Sequence, residues 1–381
     1  MQENYKPIGD YIRVVNLKNR DLAVKQLVGL SIDKCYIPSV ANVIGTDLST
    51  YKIIKRNQFA CSLMQVSRDE KIPIACMMEY DEAIMSPAYV IFEIIDESAL
   101  MPEYLNMWVM RAEFDREASF LAVGGVRGSL AWDDFCRMKL PVPSIDEQRK
   151  IVKAYQTITD RIKLKKQIND NLANTLEATF LNLYQSLDED SAVNFSDVCS
   201  LASSKRVFAE DYVECGIPFY RGKEITQKRD GEPISDPLYI SREHFISLKK
   251  KYGIPTCGDI LITAVGTIGN SYLVQNEEFY FKDGNIIWLK DFIQPLINFY
   301  LYDYMQTSKF RKELDGISIG STQTALTIVS LSKLKIKIPN SDELNYYCEI
   351  SKAIRDNIQN NNLEIEKLTQ VVQSLLSSLS Y

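Results

Sequence analysis

Histidine is nearly absent from this chain of 381 residues, which contains a single one, His244. A Ser-His-Asp or Cys-His catalytic arrangement would have to use that residue, and a metal site built on several histidines is excluded. His244 lies in the polar segment SREHFISLKKK, which favours a surface histidine over a functional one. The eight cysteines form no C-x-x-C pair, so we expect reduced, mostly buried thiols and neither a zinc site nor a disulfide framework.

The motifs that bind nucleotides or activate a serine nucleophile are also missing. The sequence has no G-x-x-x-x-G-K-[ST] loop, no strand–G-x-G-x-x-G–helix fingerprint and no G-x-S-x-G elbow. Its two glycine clusters, at 124–128 and 266–269, lead into no long helical pattern, and we interpret them as tight turns. These absences favour a protein that is not itself a catalyst.

Long hydrophobic runs are lacking too. No stretch approaches the roughly 20 apolar residues of a membrane span, and the N-terminal MQENYKPIGDY has no signal-peptide hydrophobic region. We therefore expect a cytoplasmic protein that does not contact a membrane. Glycine (16) and proline (13) are too few for a collagen-like or low-complexity chain, whereas 46% hydrophobic and 25% charged residues are typical of packed globular proteins.

What the sequence does contain is an internal repeat. The segment KLPVPSIDEQRKI at 139–151 aligns without a gap with KIKIPNSDELNYY at 335–347, an offset of 196 residues. Each copy is an alternating apolar strand, then a proline, then a helix start. Ser144-x-x-Glu147 predicts a capping box, and Asn340-x-x-Glu343 places an equally good capping residue at the equivalent position.

A long helix with a coiled-coil pattern follows each copy. Apolar residues recur at spacings of three and four over about five heptads, which at about 1.5 Å per residue predicts helices roughly 60 Å long. The predicted seam consists of Ile151, Tyr155, Ile158, Ile162, Leu172, Leu176 and Leu183 in the first helix and of Tyr347, Ile354, Ile358, Ile365, Leu368, Val372, Leu375 and Leu379 in the second. Polar residues that would fix the register interrupt it: Lys165, Asn169, Ser351 and Asn361.

Charge favours pairing between these two helices. Residues 147–185 contain seven basic and four acidic side chains, whereas residues 343–381 contain three basic and five acidic ones. Opposite net charge favours the mixed pair over either self-pair. The alternative is two unrelated amphipathic helices, each packed on its own domain, and it leaves the gapless offset through the helices unexplained.

The regions before the helices are rich in strand and turn signals, such as ILITAVG (260–266) and AYVIFEII (88–95), with shorter helical patterns in matching places. The sequence therefore predicts the α/β (α+β) class. Two homologous globular domains, 1–143 and 188–339, would alternate with two long helices, 144–187 and 340–381.

This organisation and the LPVPSIDEQRKI junction closely resemble the specificity subunit of type I restriction–modification enzymes, over essentially the whole chain. The second globular region carries IPFYRGKEI (217–225), GDILITAVGTIGN (258–270) and GSTQTAL (320–326). The first carries the variant phrases SIDKCYIPSVANVIGTDLSTYKIIKRNQF (31–59), MQVSRDEKIPIA (64–75) and MSPAYVIFEI (85–94). Any one phrase is weak, but their order, found twice, is specific.

The resemblance implies two target-recognition domains that each read one half of a bipartite double-stranded DNA target. It further implies that the helices form an antiparallel pair, which spaces the domains and docks two methyltransferase subunits, and that an ATP-dependent translocase/endonuclease subunit can join. S-adenosylmethionine, ATP and Mg would then belong to those partners, and this chain would hold no cofactor and no metal.

The resemblance also points to candidate DNA-contacting residues, whose side chains match the hydrogen-bonding edges of bases in the major groove. They are Lys34, Asn42, Gln65, Ser67, Arg68, Lys71 and Arg127 in the first domain, and Arg221, Lys223, Thr263, Thr267, Ser321, Gln323 and Thr324 in the second. One observation opposes DNA binding, because residues 1–146 carry 16 basic against 20 acidic side chains and residues 188–342 carry 18 against 21.

Phosphate binding would have to come from local basic clusters, such as Arg68 with Lys71 and Arg221 with Lys223, Lys228 and Arg229, or be shared with partner subunits.

Two other functions stay open. One is a self-contained enzyme, either a methyltransferase–specificity fusion or a nuclease. The other is a scaffold or adaptor that does not bind DNA, with two binding modules spaced by a coiled coil.

Overall fold

The computed structural model describes residues 5–39, 45–123, 128–232, 234, 236–317 and 325–379. These divide into two compact units, one formed by residues 1–164 with 365–381 and the other by residues 165–364. Each unit therefore contains one globular region and parts of both long helices. Helices and strands alternate irregularly along the chain, as the mixed α/β class predicts.

The first unit is built on an antiparallel sheet of four strands in the order β2-β9-β6-β7. Phe59 of β6 and Phe92 of β9 stack with ring centroids 5.1 Å apart at the centre of the core. Its elements are β1 (Tyr5–Pro7), β2 (Ile12–Val15), β3 (Val28–Leu30), β4 (Tyr36–Pro38), β5 (Lys52–Lys55), β6 (Phe59–Cys61), α1 (Val66–Asp69), β7 (Ile74–Cys76), β8 (Glu82–Met85), β9 (Val90–Ile94), α2 (Pro102–Val109), α3 (Ala112–Leu121), α4 (Trp132–Arg137), β10 (Lys139–Pro141) and the start of α5 (Ile145–Ser186).

The second unit repeats this strand order with β12-β19-β16-β17, again antiparallel throughout. It has a second sheet, β13-β15-β14-β18, where the first unit has the two-stranded sheets β3-β4 and β5-β8. Its elements are β11 (Ala192–Asn194), α6 (Phe195–Val198), β12 (Ser200–Ala202), β13 (Tyr212–Val213), β14 (Ile217–Tyr220), α7 (Gly222–Asp230), β15 (Leu238–Ile240), α8 (Arg242–Tyr252), β16 (Ile260–Thr263), β17 (Ser271–Leu273), β18 (Tyr280–Phe281), β19 (Ile286–Lys290), α9 (Ile297–Gln306), α10 (Ser308–Ile317), α11 (Ile328–Ser332), β20 (Lys335–Lys337) and α12 (Ser341–Ser378).

The two long helices start in the same way. Strand β10 pairs with β1 just before α5, and β20 pairs with β11 just before α12. The predicted capping box at Ser144 and the predicted capping residue Asn340 are both confirmed, since Glu147 accepts from the Ser144 N–H at 3.1 Å and Glu343 accepts from the Asn340 N–H at 3.0 Å. The α5 helix has 42 residues and α12 has 38, which corresponds to about 63 and 57 Å.

In the second unit the two helices run antiparallel and share a polar layer. Lys165 donates to the Asn361 side chain at 2.8 Å and lies 2.9 Å from Glu364, while Asn361 donates to Asn169 at 2.8 Å. Nineteen residues beyond Lys165 on α5, Tyr184 joins the core that also contains Leu344, near the start of α12. Of the fifteen residues predicted for the seam, Tyr347 is buried and the other fourteen are half-buried: Ile151, Tyr155, Ile158, Ile162, Leu172, Leu176, Leu183, Ile354, Ile358, Ile365, Leu368, Val372, Leu375 and Leu379.

A buried ionic network fastens α12 to the second unit. Asp303 on α9, with 2% of its side chain exposed, accepts hydrogen bonds from the Tyr347 hydroxyl at 2.8 Å and the Ser351 hydroxyl at 2.5 Å. Arg355 completes the network, with its Nη1 2.6 Å from one Asp303 oxygen and 2.7 Å from the other. Burial together with the neighbouring Asp303 carboxylate raises the pKa of Tyr347 well above its usual range.

Two smaller expectations can be compared with the structure. The cysteines form no disulfide, and four are buried, one is half-buried and three, Cys35, Cys215 and Cys257, are exposed, so the expectation of mostly buried thiols was too strong. His244 is partly exposed on α8, with Nδ1 4.0 Å from Asp211. Within the described ranges, no helix has both the length and the apolar character that a membrane crossing requires.

We predict that Asp303→Ala destabilises the second unit by about 3–5 kcal/mol, because it leaves the mostly buried Arg355 without a counter-charge and two hydroxyls without an acceptor. Thermal unfolding of the full chain measures the effect. Asp356→Ala, which removes an exposed carboxylate one residue from Arg355, is the matched control and should leave the midpoint unchanged. Equal midpoints for the two variants would contradict a stabilising network.

Candidate nucleic-acid interface

In the first unit the polar candidates cluster in the connection between β6 and β7. The short helix α1 interrupts this connection, and Gln65 and Glu70, which flank it, both have positive φ angles (63° and 53°). This backbone exposes Gln65 and Arg68 while Val66 points into the core. Ser67 is half-buried, and Lys71, just beyond the helix, is exposed and pairs with Asp33 at 3.0 Å.

A second segment, between α3 and α4, lies against this connection. The Leu130 N–H donates to the Leu63 carbonyl at 2.9 Å. Gly128, with a φ of 69°, lies so close to Ser67 that a Cβ added there would be 2.3 Å from the Ser67 hydroxyl oxygen. The structure thus brings the end of the glycine-rich turn beside α1. Arg127 in that turn and Asn42 lie outside the described residues.

The second unit assembles the same two segments. Residues 264–270 connect β16 to β17, at the position of the β6–β7 connection in the first unit. The Leu326 N–H donates to the Ala264 carbonyl at 2.8 Å, and Val265 forms a β-bridge with Ala325. Leu326 is the repeat equivalent of Leu130, so in each unit a backbone N–H of an equivalent leucine joins the two segments. Ser321, Gln323 and Thr324 lie outside the described residues.

The two threonine candidates of this loop have different environments. Thr263 is fully buried: its hydroxyl donates to the Thr267 carbonyl and accepts from the Asn270 N–H at 3.0 Å, which closes the loop on itself. Thr267 is exposed, and its hydroxyl lies 3.5 Å from that of Thr226 on α7. Thr263 therefore shapes the loop, and Thr267 is the side chain that the loop presents to solvent.

Arg221 and Lys223 at the start of α7 also differ. Arg221 donates to the buried carboxylate of Glu224 from Nε at 3.1 Å, from Nη2 at 2.6 Å and from its backbone N–H at 2.8 Å. Burial by itself would raise the pKa of Glu224, but these bonds outweigh it and hold the pKa below its usual range. Arg221 is thus engaged in the start of the helix, whereas Lys223 is exposed.

Lys34 is buried, with only 5% of its side chain exposed. Its ammonium lies 2.8 Å from Asp115 on α3 and also donates to the Val109 carbonyl. Desolvation lowers the pKa of Lys34, and the hydrogen bond and charge of Asp115 oppose that effect. Lys34 therefore forms a buried ion pair within the fold and is not on the surface, which its position in the sequence did not reveal.

Two arginines that were not among the candidates reach the 264–270 loop. Arg229 on α7 and Arg311 on α10 both donate to the Asn270 side-chain oxygen, at 2.6 and 3.4 Å. Arg229 belongs to a basic cluster that the sequence did indicate. Nothing in the sequence around Arg311, which precedes Lys312 and Glu313, distinguishes it from a solvated helix face.

Comparison with known proteins gives one family. The model of the type I restriction modification DNA specificity domain matches residues 88–174 and 190–372. A curated protein of Haemophilus influenzae, named as a type I restriction enzyme specificity subunit, is 31% identical over 229 residues. That match covers 58% of this chain and only 56% of the relative's length.

Among solved structures, the S subunit of a type I restriction-modification system from M. genitalium matches with a TM-score of 0.56. The match covers 98% of this chain and 95% of that one, at 14% sequence identity. This likeness concerns the fold, and it agrees with the mixed helix and strand architecture described above.

We predict that Lys34→Met lowers the thermal midpoint of the first unit, by a destabilisation of about 3 kcal/mol, because it leaves the mostly buried Asp115 carboxylate unpaired. The double variant Lys34→Met/Asp115→Leu should recover much of the loss, since both charges are then removed. Unchanged stability of Lys34→Met, combined with weaker binding of DNA, would instead make Lys34 a direct DNA contact.

Proposed function

The chain belongs to the family of type I restriction modification DNA specificity domains, and we propose on that premise that it is a DNA-recognition subunit of a type I restriction–modification complex. It reads double-stranded DNA and carries out neither methyl transfer nor cleavage. Residues 1–143 and 188–339 each recognise one half of a bipartite target. The helical regions 144–187 and 340–381 set the spacing of the half-sites and dock the partner subunits.

One observation carries this proposal: each unit assembles a corresponding pair of segments, joined by a backbone hydrogen bond from an equivalent leucine, Leu130 to Leu63 and Leu326 to Ala264. Two equivalent sites with different side chains suit a protein that reads two different half-sites. Exposed Gln65, Arg68 and Lys71 belong to the first site, and exposed Lys223 and Thr267 to the second. Arginine, lysine, glutamine and threonine can each donate to base edges or phosphates.

The partners follow from the family rather than from a contact in this chain. Two methyltransferase subunits would bind S-adenosylmethionine and transfer the methyl group, and translocase/endonuclease subunits would bind ATP and Mg. The sequence agrees with this division, because it contains neither a G-x-x-x-x-G-K-[ST] loop nor a strand–G-x-G-x-x-G–helix fingerprint. In such a complex this chain determines which DNA the partners modify.

A scaffold that does not bind DNA is the second candidate, and the excess of acidic residues in both globular regions favours it. An experiment that measures retention of the full chain on DNA, in complex with its methyltransferase partner, distinguishes the specificity subunit from the scaffold. Retention competed only by duplexes of one sequence supports a specificity subunit. Binding of the partner protein with no sequence-dependent retention would support the scaffold.

We predict that Arg68→Ala relaxes recognition of only the half-site read by residues 1–143, and that Lys223→Ala affects only the other half-site. Discrimination against a wrong base should fall about tenfold or more where a bidentate arginine contact is lost. Genome-wide mapping of methylated bases in cells that express each variant gives the result. A change in both half-sites caused by Arg68→Ala would contradict independent reading.

A further inference from the structure

Two arginine side chains converge on the loop 264–270. Arg229 Nη1 lies 2.6 Å and Arg311 Nη2 lies 3.4 Å from the same atom, the side-chain oxygen of Asn270. The two nitrogens are therefore separated by at most the sum of these distances, about 6.0 Å. Asn270 is neutral and buried, so the group on which both guanidiniums converge contributes no negative charge.

The remaining contacts leave this pair short of negative charge. Arg229 pairs with its neighbour Asp230 at 2.8 Å. Arg311 donates its other nitrogen to the Ile268 carbonyl at 2.5 Å, and no carboxylate of the described residues forms an ion pair with it. Like charges at this separation repel each other, and an anion placed between them would relieve the repulsion.

The fold builds this arrangement, and it is specific to the second unit. Gly269, with a φ of 86°, allows α10 to approach, because a Cβ added there would lie 2.9 Å from Arg311 Nη1 and 2.4 Å from Leu314. The Asn270 amide donates to the Thr226 hydroxyl at 3.0 Å and so connects the loop to α7. At the equivalent position of the repeat, the first unit has Asp115, which pairs with the buried Lys34.

We infer that Arg229 and Arg311 form a clamp for a backbone phosphate of DNA beside the second recognition loop. This rests on the proposed function and adds two residues to it. Guanidinium groups bind phosphate oxygens through paired N–H donors, and such contacts fix register and orientation without reading sequence. The clamp holds the duplex while the neighbouring exposed side chains, Thr267 and Lys223, face its bases.

The salt dependence of DNA binding tests the clamp, with the full chain in complex with its methyltransferase partner and a duplex that contains the target. Arg311→Ala should weaken binding roughly tenfold and reduce the slope of log K against log salt by about 0.9, the loss of one phosphate contact. Preference among sequences should stay the same. Arg311→Lys keeps the charge and should keep the slope.

Asn270→Asp provides a second test that preserves size. Its carboxylate would occupy the space between the two guanidiniums and compete with phosphate, so binding should weaken and the salt slope should fall. Arg242→Ala is the control, an exposed arginine of the same unit that lies 3.7 Å from Glu278. It should change neither quantity, and thermal midpoints of all variants confirm that they are folded.

The outcomes separate this inference from the proposed function. If the wild-type complex shows no preference for any DNA sequence, the proposed function is wrong and the clamp with it. If the wild type binds its target and the Arg311→Ala and Asn270→Asp variants keep its affinity and salt slope, the clamp alone is wrong. Altered base preference in Arg311→Ala would also overturn it, since the residue would then read sequence.

Discussion

The polar layer between the two long helices is the constraint that sets their register in the second unit. An apolar seam of leucine and isoleucine could slide by a heptad at small cost, but Lys165, Asn169 and Asn361 find all their partners only at one register. Lys165 and Asn361 are equivalent positions of the repeat, so each helix meets the other at the same point along its length. That register lets Phe180 on α5 pack against Tyr347 on α12, with ring centroids 5.9 Å apart.

The excess of acidic residues in the chain is compatible with DNA binding, because many of the carboxylates are paired within the fold. In the second unit several carboxylates are engaged within the fold: Glu224 with Arg221, Glu277 with Lys228, and Asp303 with Arg355. Lys223 and Arg311 are exposed and form no ion pair with the described residues. The electrostatic potential at the 264–270 loop is therefore more positive than the negative net charge of the domain indicates.

The sequence predicts the scaffold better than the site, for a physical reason. The starts of the two long helices follow from local patterns that the offset of 196 residues repeats, and Ser144 and Asn340 cap their helices as expected. The site depends on contacts between distant segments. The sequence around Lys34 does not distinguish it from a surface lysine, and only the fold shows its ion pair with Asp115 on α3. The position of Arg311 at the loop likewise follows only from its contact with Asn270, 41 residues away. A comparison of equivalent positions, Asp115 with Arg311, was the one sequence signal that could have indicated the difference.

The two units share the strand order of their four-stranded sheets but differ in their polar side chains. The polar contacts that hold the two long helices differ as well. At the start of α5, buried Gln148 donates to the Ala99 and Pro143 carbonyls and accepts from the Met101 N–H, each at 2.9 Å. Its equivalent on α12 is the apolar Leu344. Conversely, Asp303 and Arg355 have Met107 and Thr159 as equivalents. A polar network left without its partner is costly when buried. Gln148 thus connects the first globular region to the start of α5, and Asp303 with Arg355 connects the second to α12, so a side-chain change in one of these networks removes no contact of the other.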